Sequence, residues 1–406
     1  MSDHITSLVP RGLAAVPRSA QLLFSVLSGV RHGRLELVGP GRQSFTFPGT
    51  LPGPEASIYL EDWEVCGDIL RYGDIGLAEA FLQGRWHTPD LAGLLALAAL
   101  NREAMTAAMH GRWWGILGYR LTHLLRANTR RGSRRNIHAH YDLGNEFYAA
   151  WLDATMTYSA ALFEGDDERT LEQAQLAKYE RILQRLRPAP GARILEIGCG
   201  WGGFAEYAAR TRGCEVHGIT LSERQLAYAR RRVERAGLAD KVSIERCDYR
   251  DVNGSFDHVV SIEMYEAVGE RFWPTYFQRI RQCLAPGGTA LLQMIVIADA
   301  LFARYRRQTD FIQQYIFPGG MLASPRVLHA QVERAGLRVR DEFSFGRDYA
   351  ETLRRWRRQF NAGRNLIDGE RFDARFGRLW NFYLAYCEAG FLAGSTDVLQ
   401  LELSHA

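Results

Sequence analysis

The sequence predicts an α/β protein: a doubly wound, Rossmann-like sheet preceded by a smaller α+β N-terminal domain. Three observations predict it. Residues 193–204, R-I-L-E-I-G-C-G-W-G-G-F, form an apolar run that passes through glycines into a helical pattern, as a buried strand does when it turns into a helix. From 216 to 297 strand-like and helix-like segments alternate, which implies parallel strands joined by crossover helices. Upstream, residues 33–62 alternate apolar and polar side chains between Gly and Pro turns, the pattern of a small antiparallel sheet.

In chain order, residues 68–100 read as short helices around a turn at 85–90, with the apolar run 91–100 inside a helix. A domain boundary is expected at 125/126, giving an accessory domain 1–125 and a main domain 126–406. A helix at 171–186 precedes the glycine turn. Strands follow at 216–221, 242–247, 258–262 and 289–297, and helices at 222–236 and 273–284, the last closed by Pro286-Gly287-Gly288. Ligands of such sheets sit beyond the carboxyl ends of the strands. Glu196, Thr220, Tyr249 and Glu266 fall there.

The glycine turn reads E-x-G-x-G-x-G from Glu196, which differs from the dinucleotide pattern G-x-G-x-x-G. Glycines let the backbone take positive φ and let a ligand approach main-chain N–H groups. A carboxylate at the strand end repels phosphates but suits the ammonium or ribose of S-adenosylmethionine. The stretch therefore resembles motif I of the class I S-adenosylmethionine-dependent methyltransferases. A glycine turn kept only for packing is the alternative.

With 406 residues, 47% hydrophobic and 24% charged, the chain has the size of two globular domains. A net charge of +4 gives no argument for nucleic acid, and no binding module for it is recognisable. The six cysteines stand singly with no C-x-x-C, so buried thiols in a reducing cytoplasm are expected and neither a metal site nor a disulfide framework. No apolar run approaches a bilayer span of about 20 residues.

The charge is nevertheless uneven. Residues 102–135 carry eight arginines against Glu103, interleaved with Trp113, Trp114 and Tyr119. Basic residues with interfacial aromatics suit an anionic membrane surface, a solvated helix and linker being the alternative. Residues 351–360, E-T-L-R-R-W-R-R-Q-F, read as a second such helix. Residues 310–324, with Phe311, Tyr315 and Phe317, read as a loop whose rings wall a greasy channel.

Nine motifs in order carry a resemblance that spans nearly the whole chain. They are G-D-I-G-L-A-E-A-F-L-Q-G-R-W at 73–86, H-Y-D-L-G-N at 140–145, M-T-Y-S at 156–159, L-E-I-G-C-G-W-G-G at 195–203 and T-L-S at 220–222, then D-Y-R-D at 248–251, E-A-V-G at 266–269, Y-I-F-P-G-G at 315–320 and F-G-R-D-Y-A-E-T-L at 345–353. In these the chain resembles the cyclopropane fatty acid synthases and mycolic acid methyltransferases. The resemblance implies S-adenosylmethionine as methyl donor and the double bond of an unsaturated acyl chain, usually on a phospholipid, as acceptor. It implies that Tyr158 and Ser159 touch the methionine part, with the main chain of Gly198 and Gly200 along it. Thr220, Leu221 and Gln225 would contact the ribose region, Tyr249 and Arg250 the adenine, and Ile262 the site wall. A homodimer through residues 1–125 and a cytoplasmic enzyme lying peripherally on the inner membrane surface are compatible with it.

The chemistry the resemblance implies is attack of an alkene carbon on the sulfonium methyl, leaving a carbocation. Aromatic faces stabilise such a cation, and Tyr141 stands at the position of a catalytic-pocket tyrosine. For proton removal, relatives hold bicarbonate with a cysteine, a glutamate, a histidine and a tyrosine. The glutamate and tyrosine correspond to Glu266 and Tyr349, but Ala160 replaces the cysteine and Gln293 the histidine. Glu263 stands where several relatives have glycine, three residues before Glu266. If the two carboxylates share a helical face, burial raises at least one pKa toward that of a useful base. Glu263 is therefore expected to take over the base's job from bicarbonate, partly or wholly; pairing with a surface arginine is the alternative. Proton loss from the added methyl closes a cyclopropane, whereas loss from a chain carbon leaves a methyl-branched alkene. The changed pair 160/293 favours the branched product, as in relatives that start branched or furan fatty acids, with ring closure as the alternative. A small-molecule methyltransferase and a catalytically silent binding protein are the remaining readings.

Overall fold

The computed structural model describes residues 16–108, 143–363 and 372–406. Contacts divide the chain into two compact units: 1–118 with 373–389, and 119–372 with 390–406. Where the sequence was divided once, near 125, the fold returns residues 373–389 to the N-terminal unit.

In the first unit, strands β1 (His32–Val38), β2 (Ser44–Pro48), β3 (Leu51–Leu60) and β4 (Trp86–His87) form a sheet in the order β2-β1-β3-β4. Leu35, Leu37, Phe45, Phe47, Ile58 and Leu60 point to its buried face and fix the alternation. The sheet is not wholly antiparallel as expected: β1 pairs parallel with β3. Alternation specifies which residues share a face but leaves the pairing partner open. Phe24, on helix Arg18–Leu27, covers this face, 4.6 Å from the Phe45 ring. Helix Leu91–Leu100 is apolar on all sides and largely buried, with Asp90 capping its N-terminus by accepting from the Gly93 amide.

In the second unit, β5 (Arg193–Ile197), β6 (Glu215–Thr220), β7 (Val242–Arg246), β8 (Phe256–Ile262) and β9 (Leu284–Ile297) pair in parallel. Two further strands, β10 (Leu337–Ser344) and β11 (Thr396–His405), extend the sheet antiparallel on the β9 side, giving the order β10-β11-β9-β8-β5-β6-β7. The Pro-Gly-Gly of 286–288 does not end before a strand. It forms an irregularity inside β9, where the register against β8 shifts. Helices flank the sheet and bury one core on each face, the larger around Tyr265, Trp273, Tyr276 and Phe277. Order reverses at β5, with β6 on one side and β8 on the other, so the crevice for a ligand opens beyond the carboxyl end of β5.

Of the two basic, aromatic segments, the structure bears on one. Tyr141 and most of the basic segment, 109–135, lie outside the described residues. In the second basic stretch, helix Gly346–Ala362 buries Trp356 completely, while Arg354 and Arg355 pair with Glu351. That tryptophan is a core residue and no membrane anchor. No helix among the described residues is long and apolar enough to cross a membrane.

Candidate active site

β5 is the rail on which the site is built. Ile194, Leu195 and Ile197 are buried, and at Gly198 the backbone turns to φ +83°, then to +53° at Gly200 and +80° at Gly202 before helix Gly203–Arg212 begins. A Cβ on Gly200 would meet no atom within 4 Å, so open space lies along this turn where the chain passes closest to the crevice. Glu196 is 3% exposed and its Oε2 has no hydrogen-bond partner. Burial pushes its carboxyl up to about 8. An orphaned buried oxygen beside an open glycine turn fits a group that brings its own donor, such as an ammonium.

The next strand ends supply the rest of this crevice. Thr220, at the end of β6, donates through Oγ1 to Oε1 of Gln225 at 2.9 Å, and Ser222 caps the following helix, Glu223–Arg235, by accepting from the Gln225 amide. Leu221, between them, is half-buried, as is Ile262 at the end of β8. After β7, Tyr249 is buried with its hydroxyl unpartnered, its ring 5.6 Å from that of Tyr276. Arg250 is held by Asp248 at 2.8 and 2.6 Å, and its guanidinium carbon lies 5.4 Å from the Tyr249 ring centre.

Glu263 follows β8 and is the centre of a second group. Its Oε1 accepts from the Ala160 amide at 2.8 Å and from Gln293 Nε2 at 2.7 Å, and its Oε2 accepts from the Tyr349 hydroxyl at 2.6 Å. None of these partners is an arginine. The backbone here is left-handed, φ +50°, a conformation costing a non-glycine residue about 1–2 kcal/mol. Glu263 and Glu266 therefore do not share a helical face: Glu266 sits in the short 3-10 turn Tyr265–Ala267, where Oε1 accepts from the Ile295 amide at 2.5 Å and Oε2 is buried without a partner. Burial raises the Glu263 pKa, against the pull of Lys178 and its three donors. Burial and the neighbouring Glu263 raise Glu266 to about 8.

Sequence reasoning missed Lys178. It is fully buried, and its Nζ donates to Ser159 Oγ and to Gln175 Oε1, both at 2.6 Å. Burial lowers its pKa to about 7, while Glu263, Asp153 and Glu196 pull it back up. The signal was present: on helix Leu171–Leu186, Lys178 shares the buried face of Leu171, Ala174, Gln175 and Ile182. The segment 159–160 thus lies between the two charges, its serine bonded to Lys178 and its alanine amide to Glu263. Beside it the Tyr158 ring packs against Tyr148, Trp151 and Trp356 at 5.4, 5.5 and 5.3 Å, and Tyr349 against Phe391 at 4.6 Å. Trp151 and Phe391 were likewise not singled out, and Trp356 was read as interfacial, although Tyr349, Leu353, Trp356 and Phe360 recur at helical spacing.

A pH dependence of stability follows. Glu196 and Glu266, at about 8 against an ordinary 4.5, bind protons in the folded state that the unfolded chain has released, so stability falls as pH rises through that window. Asp62, Glu180 and Glu351 have lowered pKa values and act below it; His258, lowered by burial, opposes the fall below its ordinary 6.5, and Lys178 opposes it above about 7, one group at a time against two carboxyls. The ligand-free protein is expected to melt at a lower temperature near neutral pH than near pH 5, and Glu196→Gln is expected to flatten that slope. A melting temperature that rises over this range would contradict the assignment.

The chain is similar to known proteins over most of its length. The family model of mycolic acid cyclopropane synthetase matches residues 128–401. The tuberculostearic acid methyltransferase UfaA1 of Mycobacterium tuberculosis is 40% identical over 343 residues, covering 82% of this chain and 80% of that protein. The cyclopropane-fatty-acyl-phospholipid synthase of Escherichia coli is 32% identical over 368 residues, 89% of this chain and 91% of that one. The mycolic acid cyclopropane synthase CmaA1 complexed with SAH and CTAB superposes with a TM-score of 0.62 at 29% identity, covering 66% of this chain and 97% of that one. On these matches the chain belongs to the mycolic acid cyclopropane synthetase family and is an S-adenosylmethionine-dependent methyltransferase.

Proposed function

We propose that the protein transfers a methyl group from S-adenosylmethionine to the double bond of unsaturated acyl chains on membrane phospholipids and leaves a methyl-branched, unsaturated chain. The coarser part of this reading, methylation of unsaturated fatty acyl chains, is supported by the names of its relatives. The finer part rests on one observation: the Glu263 carboxylate, on a left-handed backbone, receives the three donors of Ala160, Gln293 and Tyr349. By the family resemblance, all three of these positions help to hold bicarbonate in relatives. Here the donors are already taken by a side chain, which leaves a bicarbonate ion nothing to replace.

In this reading S-adenosylmethionine supplies an electrophilic methyl. Gly198, Gly200 and the orphaned oxygen of Glu196 hold its methionine part with Tyr158 and Ser159; Thr220, Leu221 and Gln225 hold the ribose, Tyr249 and Arg250 the adenine, and Ile262 closes the wall. In this reading the rings of Tyr158 and Tyr349, both packed on the buried Trp356, exclude water and face the cation formed on the chain. Glu263 removes the proton. Oε1 already accepts two hydrogen bonds and Oε2 only one, so Oε2 has the free lone pair and is the basic atom. A raised pKa strengthens it as a base. Because three chain segments anchor the carboxylate, its reach is fixed, which favours one carbon for deprotonation. Glu266 and Tyr349 are carried as supporting catalytic residues, and Tyr141 as a pocket residue by resemblance alone. The anionic membrane surface, a homodimer and a peripheral cytoplasmic location belong to the same reading.

Ring closure is the second reading, favoured by the similarity to the Escherichia coli synthase. Incubation with unsaturated phospholipid vesicles and methyl-trideuterated S-adenosylmethionine separates the two by mass spectrometry of the acyl chains. Retention of all three deuterons is expected, since the proton leaves a chain carbon. Two deuterons mean that the methyl itself lost one, giving a cyclopropane or an exocyclic methylene and overturning the methyl-branched product; mild hydrogenation, which reduces the alkene and spares the ring, separates those two. No label in lipid overturns both in favour of a small-molecule acceptor or a binding protein.

A further inference from the structure

Behind Glu263 runs a chain of side chains that no catalytic step uses. Gln293 Nε2 donates to Glu263; Gln400 Nε2 donates to Gln293 Oε1 at 3.0 Å; and Arg181 Nη1 donates to Gln400 Oε1 at 2.5 Å. Gln293 and Gln400 are each 1% exposed and face one another across the β9–β11 ladder. Arg181, on helix Leu171–Leu186, stands at the outer end. Its guanidinium carbon lies 3.9 Å from the centre of the Phe343 ring, and Nη2 is 3.5 Å from Asp341.

A glutamine amide has a donor end and an acceptor end and can be turned either way, whereas arginine has donors only. Arg181 therefore forces the oxygen of Gln400 toward itself and the nitrogen toward Gln293. Gln293 must then offer its oxygen to Gln400 and its nitrogen to Glu263. The polarity of the whole row is decided at its outer end, and at the inner end it presents a donor, which favours the ionised carboxylate. We propose that Arg181 and Gln400 are positioning residues that fix the direction of the Gln293 amide and so keep Glu263 ready to accept a proton. The amides carry orientation and no proton. This deepens the reading of Glu263 as the base and rests on it. The charged and titratable groups that also act on Glu263 are Lys178, Tyr349 and Glu266.

The test is a titration of the Glu263 carboxyl by infrared difference spectroscopy in the ligand-free protein, assigned by subtracting Glu263→Gln, alongside the pH profile of kcat. Gln400→Glu can only accept, so it turns the Gln293 nitrogen away and aims the Gln293 oxygen at Glu263. The carboxyl pKa is expected to rise by about one unit or more. Gln400→Met, which changes no charge, is expected to move it less but in the same direction; Arg181→Met, which also removes a cation, is expected to raise it too, and Arg181→Lys, again a charged pure donor, to restore it. A rise in Gln400→Glu with none in Gln400→Met would show a through-space charge effect and overturn the proposal. So would an unmoved titration in all variants. Should the infrared pKa move while the acid limb of kcat stays in place, the row orients Glu263 as proposed but Glu263 is not the base.

Discussion

Glu263→Gln is expected to lower turnover by roughly 10²–10⁴-fold, the usual contribution of a positioned general base, with the affinity for S-adenosylmethionine unchanged. The substitution suits the site. The amide oxygen can take the place of Oε1 and accept from Ala160 and Gln293, and the amide nitrogen then faces Tyr349, whose hydroxyl can turn to accept. Shape and hydrogen bonding survive and only basicity is lost. Glu263→Gly makes a sharper contrast. It removes the left-handed strain of about 1–2 kcal/mol and opens a space bordered by the same three donors. Added bicarbonate is expected to restore part of the turnover in the glycine variant and none in the glutamine variant, where the space stays filled. Full activity of Glu263→Gln, or a bicarbonate requirement in the unmodified protein, would remove Glu263 from the role of base.

The residues that made this site legible in the sequence are those whose position is fixed by backbone rules. The run from Arg193 to Ile197 could only be a buried strand, the glycines after it demanded positive φ, and the strands at 216, 242, 258 and 289 followed from alternation; all five are present. The two antiparallel strands were not identified, although L-R-V-R-D at 337–341 and L-Q-L-E-L at 399–403 alternate as strands with one buried face should. Their partners lie far apart in sequence, and local patterning does not name a partner. Gln400 was invisible for that reason: its function depends on facing Gln293 across a ladder. Glu263 was singled out because it departs from its relatives, but its left-handed backbone and its three donors are properties of tertiary packing.

Lys178→Met is expected to have the other large effect, and its direction can be worked out from charge alone. Lys178 is the cation whose charge acts on Glu263, Asp153 and Glu196 together, and it carries Ser159 by a 2.6 Å hydrogen bond. Its own pKa of about 7 is a compromise between burial, which expels the proton, and those carboxylates, which retain it. Methionine fills a similar volume without the charge. Glu263 then loses the largest of the interactions that lower it and Glu196 the smallest, behind the Ala205 amide and Arg232, so Glu263 above all titrates higher and is protonated over more of the neutral range. The acid limb of the kcat profile should move up in pH, and turnover at neutral pH should fall while activity recovers in alkaline buffer. A purely structural role for the lysine makes a different prediction: kcat falls by the same factor at every pH. Lys178→Arg is not expected to rescue, because the site is closed to solvent and shaped around an ammonium with two oxygen partners. The pH profile of Lys178→Met, set beside its affinity for S-adenosylmethionine through Ser159, separates the electrostatic from the structural contribution of one buried charge.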